Sequence, residues 1–248
     1  MTAENANLGD RALNKVVEIG ITSQVDLVES IEVDLRSNPI DLIQGKVESI
    51  EISSKGMVVR QDLRIETLEI GTDRVSINPV SAIFGNVELT HPTEAEARIT
   101  LVEADINRAF SCAYVQDKMQ GLQMEMDGQP VTIDVRSATL DLPGENKFVI
   151  TTDFAIRESG EIKKMSATAI PQIDENGNRI SLEILAAEGQ GLTLKLVLVI
   201  FEQLAALLDL RNFNLPGVSL QLHQLEAQSG KLVIHAKSQI SQIPMMPS

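Results

Sequence analysis

The chain is poor in aromatic residues and nearly devoid of sulfur chemistry. Its 248 residues include no Trp, one Tyr, six Phe and one Cys. Aromatics make up 3% against 43% hydrophobic residues overall, so the interior is built from Leu, Ile and Val, and stacking platforms for bases or sugars are disfavoured. A lone cysteine, Cys112, forbids an intrachain disulfide and reads as a small core residue. Cations are scarce as well. The formal net charge is -14 and the longest basic run is Lys163-Lys164, which argues against nucleic acid as a partner and against a polybasic membrane anchor. The amino terminus, MTAENANLGDRALNK, lacks the charged-then-apolar pattern of a secretory signal, so a cytoplasmic or peripheral membrane location is expected.

Catalytic patterns are also missing. With Ser229-Gly230 as a hairpin turn, His223 pairs with Ala236 and His235 with Gln224, which sets the two imidazoles on opposite faces and denies them a shared metal. The stretch from Gln172 to Glu183 carries Asp174, Asn176, Gly177 and Glu183 at calcium-loop offsets, but Gln172 replaces the first acidic ligand and strands flank it. The sequence holds no Gly-rich phosphate loop, nucleophile elbow or Cys pair. The expectation is a protein that is not an enzyme, with no catalytic residues, no metal and no cofactor beyond a bound lipid.

What the chain does have is one long apolar run, LTLKLVLVIFEQLAALLDL over 192–210. Lys195, Glu202 and Asp209 recur every seven residues and form one narrow polar stripe on a helix whose other faces are apolar. Three charges on one face are expensive in lipid, so the run reads as a buried core helix and not a membrane span. Residues 6–22 read as an amphipathic helix, with Ala12, Leu13, Val16 and Val17 opposite Arg11, Lys15 and Glu18.

The most specific internal signal is a duplication. NPIDLIQGKVE from Asn38 aligns without gaps with NPVSAIFGNVE from Asn78, and ESIEV from Glu29 matches ETLEI from Glu66. The repeated unit, about 29–52 and 66–92, reads as strand, turn, strand. Asn-Pro opens each turn, Ile43 and Ile83 occupy its inner face, and Gly45 or Gly85 ends it. In LRIETLEI the apolar parity switches between Ile65 and Leu68, which predicts a bulged, strongly curved sheet. TLVE at Thr100–Glu103 fits a capping box for a helix carrying Ile106, Ala109 and Phe110 and ending near Gly121. A meander of about five strands over 122–187 follows, with turns at Asp127-Gly128, Pro143-Gly144, Ser159-Gly160 and Asn176-Gly177; a last hairpin spans 218–240.

The segments QGKVESIEISSKGM, DLRIETLEIGTDRVSI, NPVSAIFGNVEL, ARITLVEADINRAF and GVSLQLHQLEAQSGKLVIHA together resemble a bacterial family that includes cyanobacterial proteins and the lipomannan-elongation (LmeA-like) protein. The likeness runs from about residue 8 to 240, and VEADINR is its most specific piece. That family is similar to tubular lipid-binding (TULIP-like) proteins, which implies an α+β fold with strongly curved antiparallel sheet wrapped around a long apolar helix. The sequence departs from the pattern by showing no signal-peptide pattern in its first residues and by placing Val102 where a small hydroxyl residue precedes the acidic one.

Taken as one domain over 1–248, the chain is expected to bind phospholipid or glycolipid acyl chains in an apolar groove, with roles in lipid transfer or envelope lipid homeostasis and peripheral membrane contact. Expected lining residues are Leu196, Val199, Ile200, Leu204 and Leu207, with Phe110, Phe148 and Phe154 facing them. The competing reading is a structural or adaptor protein that forms a homodimer, or binds a protein partner, through the apolar helix face.

Overall fold

The computed structural model describes residues 14, 15, 18, 22, 27–59, 63–83, 88–126, 128–189, 194–207 and 218–241. The strands are β1 (Ser30–Arg36), β2 (Lys46–Val59), β3 (Leu63–Ser76), β4 (Thr93–Val102), β5 (Leu122–Met126), β6 (Gln129–Gly144), β7 (Lys147–Ile156), β8 (Ile162–Ile173), β9 (Ile180–Gly189), β10 (Val218–Gln228) and β11 (Lys231–Ile240). The helices are α1 (Pro39–Ile43), α2 (Pro79–Ile83), α3 (Glu103–Phe110), α4 (Ala113–Lys118) and α5 (Leu194–Leu207). Two antiparallel sheets result, a six-stranded one in the order β1-β2-β3-β4-β11-β10 and a five-stranded meander, β5 to β9.

The two similar segments lie in β1-α1-β2 and β3-α2-β4, side by side in the sheet, with β4 starting only at Thr93, beyond the expected end of the second unit at 92. Each copy starts its short helix with the same cap. The Asn38 side chain accepts from the backbone N–H of Ile40 at 3.0 Å and Asp41 at 2.9 Å; Asn78 accepts from Val80 at 3.1 Å and Ser81 at 3.4 Å. Such caps satisfy donors that a helix start otherwise leaves unpaired. The two knuckles touch, since Ile77 N–H donates to the Gly45 carbonyl at 2.7 Å and Lys46 pairs with Ser76.

Ile43 does not line the inner face of its turn. It is 78% exposed, and Leu42 packs on Leu35, Val47, Ile50, Val75 and Ile77 in its place. A helix of five residues makes barely more than one turn, so the Asn38 cap sets which position faces the sheet, and Ile40 and Ile43, three apart, share the side that faces away. The side chain of Ile83, and Gly85, lie outside the described residues, as does most of the 6–22 segment. There, Asn14, Lys15, Glu18 and Thr22 are helical, and the Asn14 side chain accepts from the Leu35 N–H at 3.1 Å.

The bulge expected between Ile65 and Leu68 is absent: the β2–β3 ladder keeps one register from Lys46↔Ser76 to Val59↔Leu63. Irregularities fall elsewhere, at Val135/Ser137 and Asp141/Gly144 in β6, at Thr168/Ala169 between β8 and β9, and at Leu222/Gln224 in β10. The last of these overturns the histidine geometry. His235 does pair with Gln224, but His223 is the bulged residue, so its ring swings to 6.0 Å from that of His235 and not to the opposite face.

The meander has the five strands expected, with one turn moved. Pro143 and Gly144 belong to β6, and Glu145-Asn146 make the reversal with φ of 54° and 55°, a pairing of left-handed residues that suits the right-handed twist of a tight hairpin. At the β8–β9 turn the Asp174 carboxylate accepts from the N–H groups of Asn178 and Arg179, at 2.7 and 3.0 Å, which fixes the loop as an Asp-anchored turn. One strongly curved sheet forms a half-barrel, and α5 lies against both edge strands of the meander, β9 and β5. A long apolar helix at the centre of the fold is not what the structure shows: α5 has 14 residues, and residues 190–193 and 208–217 lie outside those described.

The β10–β11 hairpin sews the two sheets together. Leu222 N–H donates to the Gly177 carbonyl at 2.7 Å, Asn146 N–H to Ala227 at 3.1 Å and Gly230 N–H to Leu142 at 2.9 Å. A cluster of apolar side chains from both sheets, α3 and α5 fills the space between, and a smaller one sits under α1.

Gly45 and Gly230 both have positive φ, 75° and 73°, yet a Cβ on Gly45 would lie 2.1 Å from the Ile77 carbonyl oxygen, whereas Gly230 has open space. Gly230→Ala is expected to lose about 1 kcal/mol from the left-handed backbone alone. Gly45→Ala should lose clearly more, because the knuckles must separate. Denaturant midpoints of the two variants test this, and equal losses would refute the packed-knuckle account.

Candidate functional site

Strand register decides which side chains share a face. Reading across β1 to β4, directly paired residues give the rows Ile31–Ser54–Leu68–Ile99, Val33–Ile52–Ile70–Ala97 and Leu35–Ile50–Thr72–Ala95. The alternate residues, Glu32, Asp34, Glu51, Lys55, Glu69, Asp73, Glu94, Glu96 and Arg98, are exposed. Period-two alternation therefore builds a wet outer face and an apolar inner one. β11 and β10 continue the inner rows with Ile234 and Leu225, Ala236 and Leu222, and Ser238 and Leu220.

This inner face is not uniformly closed. Leu35, Ile50, Ala95 and Ala97 are buried, while Ile31, Val33, Ile52, Leu68, Ile70 and Ile99 are only half-buried. The half-buried group crosses all four strands without a charged residue. Three hydroxyls share the inner face: Ser54, Thr72 and, on β11, Ser238 each have a buried side-chain oxygen with no hydrogen-bond partner among the described residues. Thr72 and Ser238 flank Ala95 in one row. Buried polar atoms are normally paired, so oxygens of this kind mark places able to take a ligand's acceptor or a water.

One end of the face is closed by α3, whose sequence is EADINRAF. It begins at Val102, which supplies no side-chain cap, and Thr100 remains in β4, so the capping box does not form. Glu103 turns to the other sheet and accepts from Leu142 N–H at 2.7 Å, while its own N–H donates to the Gly230 carbonyl at 3.0 Å. Asn107 bonds both backbone groups of Leu140, accepting at 2.7 Å and donating at 2.9 Å. Asp105, 3% exposed, points the opposite way and accepts from Arg64 of β3 at 2.9 Å, with Arg108 at 3.0 Å on its second oxygen. Glu66 and Glu29 complete the shell of Arg64 at 2.5 and 2.8 Å. These two glutamates are equivalent positions of the duplicated unit, brought onto one cation by the pairing of β2 with β1 and β3. Hydrogen bonds to Glu66, then Glu29 and Asp105, hold the Arg64 guanidinium above its ordinary pKa. The helix does not continue to Gly121. It stops at Phe110, the Ser111 hydroxyl donates to the Asn107 carbonyl at 3.1 Å, and α4 starts anew at Ala113. A cavity of about 340 Å³ opens beside this cluster, lined by Val58, Arg64, Arg108, Ser111 and Cys112.

The residues expected to line a groove lie in the main apolar cluster. Leu196 and Ile200 are 0% exposed, Phe148 3% and Phe154 1%; Val199 and Phe110 are half-buried against the same cluster. The side chains of Leu204 and Leu207 lie outside the described residues. The polar stripe of α5 faces outward at Lys195 and Glu202, and Lys195 reaches Glu125 of β5 at 3.6 Å. Sequence reasoning missed the half-buried inner face of β1 to β4. Its signal was present as the apolar residues at every second position of IEVDL, SIEIS and EARITL, but alternation alone does not say which buried faces stay partly open.

An antiparallel β protein with a wet outer face and a half-open apolar inner one has the surface of a protein that holds apolar ligands. A family model described as LmeA-like phospholipid-binding matches residues 5–237, and the chain belongs to that family. Among curated proteins and among solved structures nothing matches the chain. No helix among the described residues is long and apolar enough to cross a membrane.

Asp105→Asn leaves Arg64 and Arg108 facing a neutral amide at a buried position, and a loss of about 3 kcal/mol is expected. Arg108→Gln, at a side chain 60% exposed, should cost under about 1 kcal/mol. Chemical denaturation measures both, and equal losses would show that the α3 clamp does not depend on Asp105.

Proposed function

We propose that the protein holds the acyl chains of a phospholipid along the inner face of β1 to β4, over Val33, Ile52, Ile70 and Ile99, and catalyses no reaction. The observation that carries this reading is the exposure pattern: this face is apolar yet half-buried, whereas Leu196, Ile200, Phe148 and Phe154 are closed. The family supports phospholipid as the ligand class. About ten methylenes taken from water would contribute ~8 kcal/mol, enough for micromolar affinity with no charged contact. Ser54, Thr72 and Ser238 lie where an acyl ester would find hydroxyl donors among apolar neighbours. α5 packs against β5 and β9 with Leu196 and Ile200 in the main cluster, and lipid transfer between membranes is the role such a carrier would serve.

Extraction of the purified protein with organic solvent, followed by mass spectrometry, should yield phospholipid near one per chain. A clean extract together with a concentration-dependent dimer would favour the adaptor reading, in which α5, with Leu198 44% exposed, closes an interface.

Two tryptophan substitutions locate the ligand. Ile52→Trp should lower lipid occupancy severalfold while the delipidated protein melts near its parent, because the indole fills ligand space. Ile200→Trp should overpack a closed site and lose about 1 to 3 kcal/mol. Delipidated samples are compared because bound lipid itself raises the midpoint. If Ile200→Trp expels lipid without destabilising and Ile52→Trp does neither, the binding surface lies under α5.

A further inference from the structure

We infer that the paired Asn-Pro knuckles are a membrane-docking tip that inserts into the surface of a phospholipid bilayer; this rests on the lipid-binding reading. The knuckles lie together at one end of the six-stranded sheet, joined by the Ile77 to Gly45 hydrogen bond and by the Lys46↔Ser76 pair. Their outermost apolar side chains are exposed: Ile40 at 70%, Ile43 at 78% and Val80 at 62%. Neither core cluster uses them, since Leu42 does the packing for α1. Both copies of the duplicated unit thus present an apolar residue one position after the proline, Ile40 and Val80, from a helix held by its asparagine cap.

Two cations and several acids surround this apolar tip. Among the described residues Lys46 donates to Gln44, at 3.1 Å, and neither Lys46 nor Arg74 has a carboxylate partner. Of the nearby acids, Glu88 accepts from Ser81 at 2.8 Å and Asn78 at 3.3 Å, and Asp41 accepts from Asn38. Glu48 lies between them on β2 and is exposed. The Ser81, Asn78 and Asn38 donors are neutral and leave Glu88 and Asp41 anionic beside exposed Glu48 and Asp73, so Lys46 and Arg74 make local phosphate contacts among more numerous acids, and Ile40, Ile43 and Val80 supply the insertion. In a chain of net charge -14, long-range attraction to anionic membranes is weak, so insertion must come from the apolar tip.

The chain contains no Trp, so Ile43→Trp gives a single fluorescent reporter, with Leu27→Trp, near the other end of β2, as the control. On adding phosphatidylcholine vesicles, with and without phosphatidylglycerol, Ile43→Trp should shift to shorter wavelength and be quenched by brominated acyl chains, while Leu27→Trp does neither. The double variant Ile40→Ser, Ile43→Ser should lose roughly tenfold or more in vesicle partitioning while keeping its melting midpoint. Occupancy by a short-chain phosphatidylcholine below its critical micelle concentration is measured in parallel. Unchanged emission of Ile43→Trp with vesicles, in protein that still takes up the short-chain lipid, overturns the docking tip and leaves lipid binding standing. A shift that appears without vesicles and grows with protein concentration also overturns it, by making the tip a self-association surface. Insertion of the tip in protein that takes up no short-chain lipid upholds the docking and fails the groove.

Discussion

The arrangement of both sheets depends on one buried ion pair. Asp105, on a helix of only eight residues, is held by Arg64 from the six-stranded sheet, while Glu103 and Asn107 on the same helix bond the backbone of β6. A short helix has little stability of its own, and here its residues are fixed from both sides. A buried carboxylate is tolerated only with partners that offset its lost hydration, and two guanidinium groups supply them. The compact run EADINR is thus a bracket between layers, and each polar residue in it has a separate target. Removing Arg64 would free not only Asp105 but also Glu29 and Glu66, the similar glutamates bonded to the same cation.

Duplication explains more of the six-stranded sheet than any other property of the sequence. Two copies of a strand, knuckle and strand laid antiparallel give four neighbouring strands, and equal parity in the copies puts their apolar residues on the same side. The same operation places both knuckles at one end and both glutamates at the other. An apolar face bounded by an apolar tip and a charge cluster follows from repeating one unit, with no further instruction from the rest of the chain.

Much of this was legible beforehand because it is local. The Asn38 and Asn78 turns, the hairpin at Ser229-Gly230 and the five meander strands come from short-range rules of capping, turn residues and period two. The errors concern rotation and depth, which neighbours set. Ile43 and Leu42 are adjacent apolar residues, and only the tilt of a capped helix against β2 selects the one that packs. His223 was misplaced because a bulge shifts one side chain without altering the apolar pattern around it. Hydropathy of the 192–210 run tells that α5 is buried, and the fold adds where: Leu196 and Ile200 join the main cluster.

The division between a closed core and a half-open face has a thermodynamic reason. A cavity lined by apolar side chains costs stability in proportion to its volume when empty, so under the proposed reading a binding surface outside the packed clusters costs the unliganded fold less. Here the main cluster, from Ile133 and Phe154 to Leu196 and Ile200, is complete, and the apolar surface left over lies on strands whose backbone bonds are already made. An occupant of that surface would remove Val33, Ile52, Ile70 and Ile99 from water without asking any core residue to move. Val33 and Ile52 pack in part on the smaller cluster and Ile70 and Ile99 in part on the main one, so under the proposed reading they serve both fold and ligand, whereas Ile40, Ile43 and Val80 belong to neither cluster.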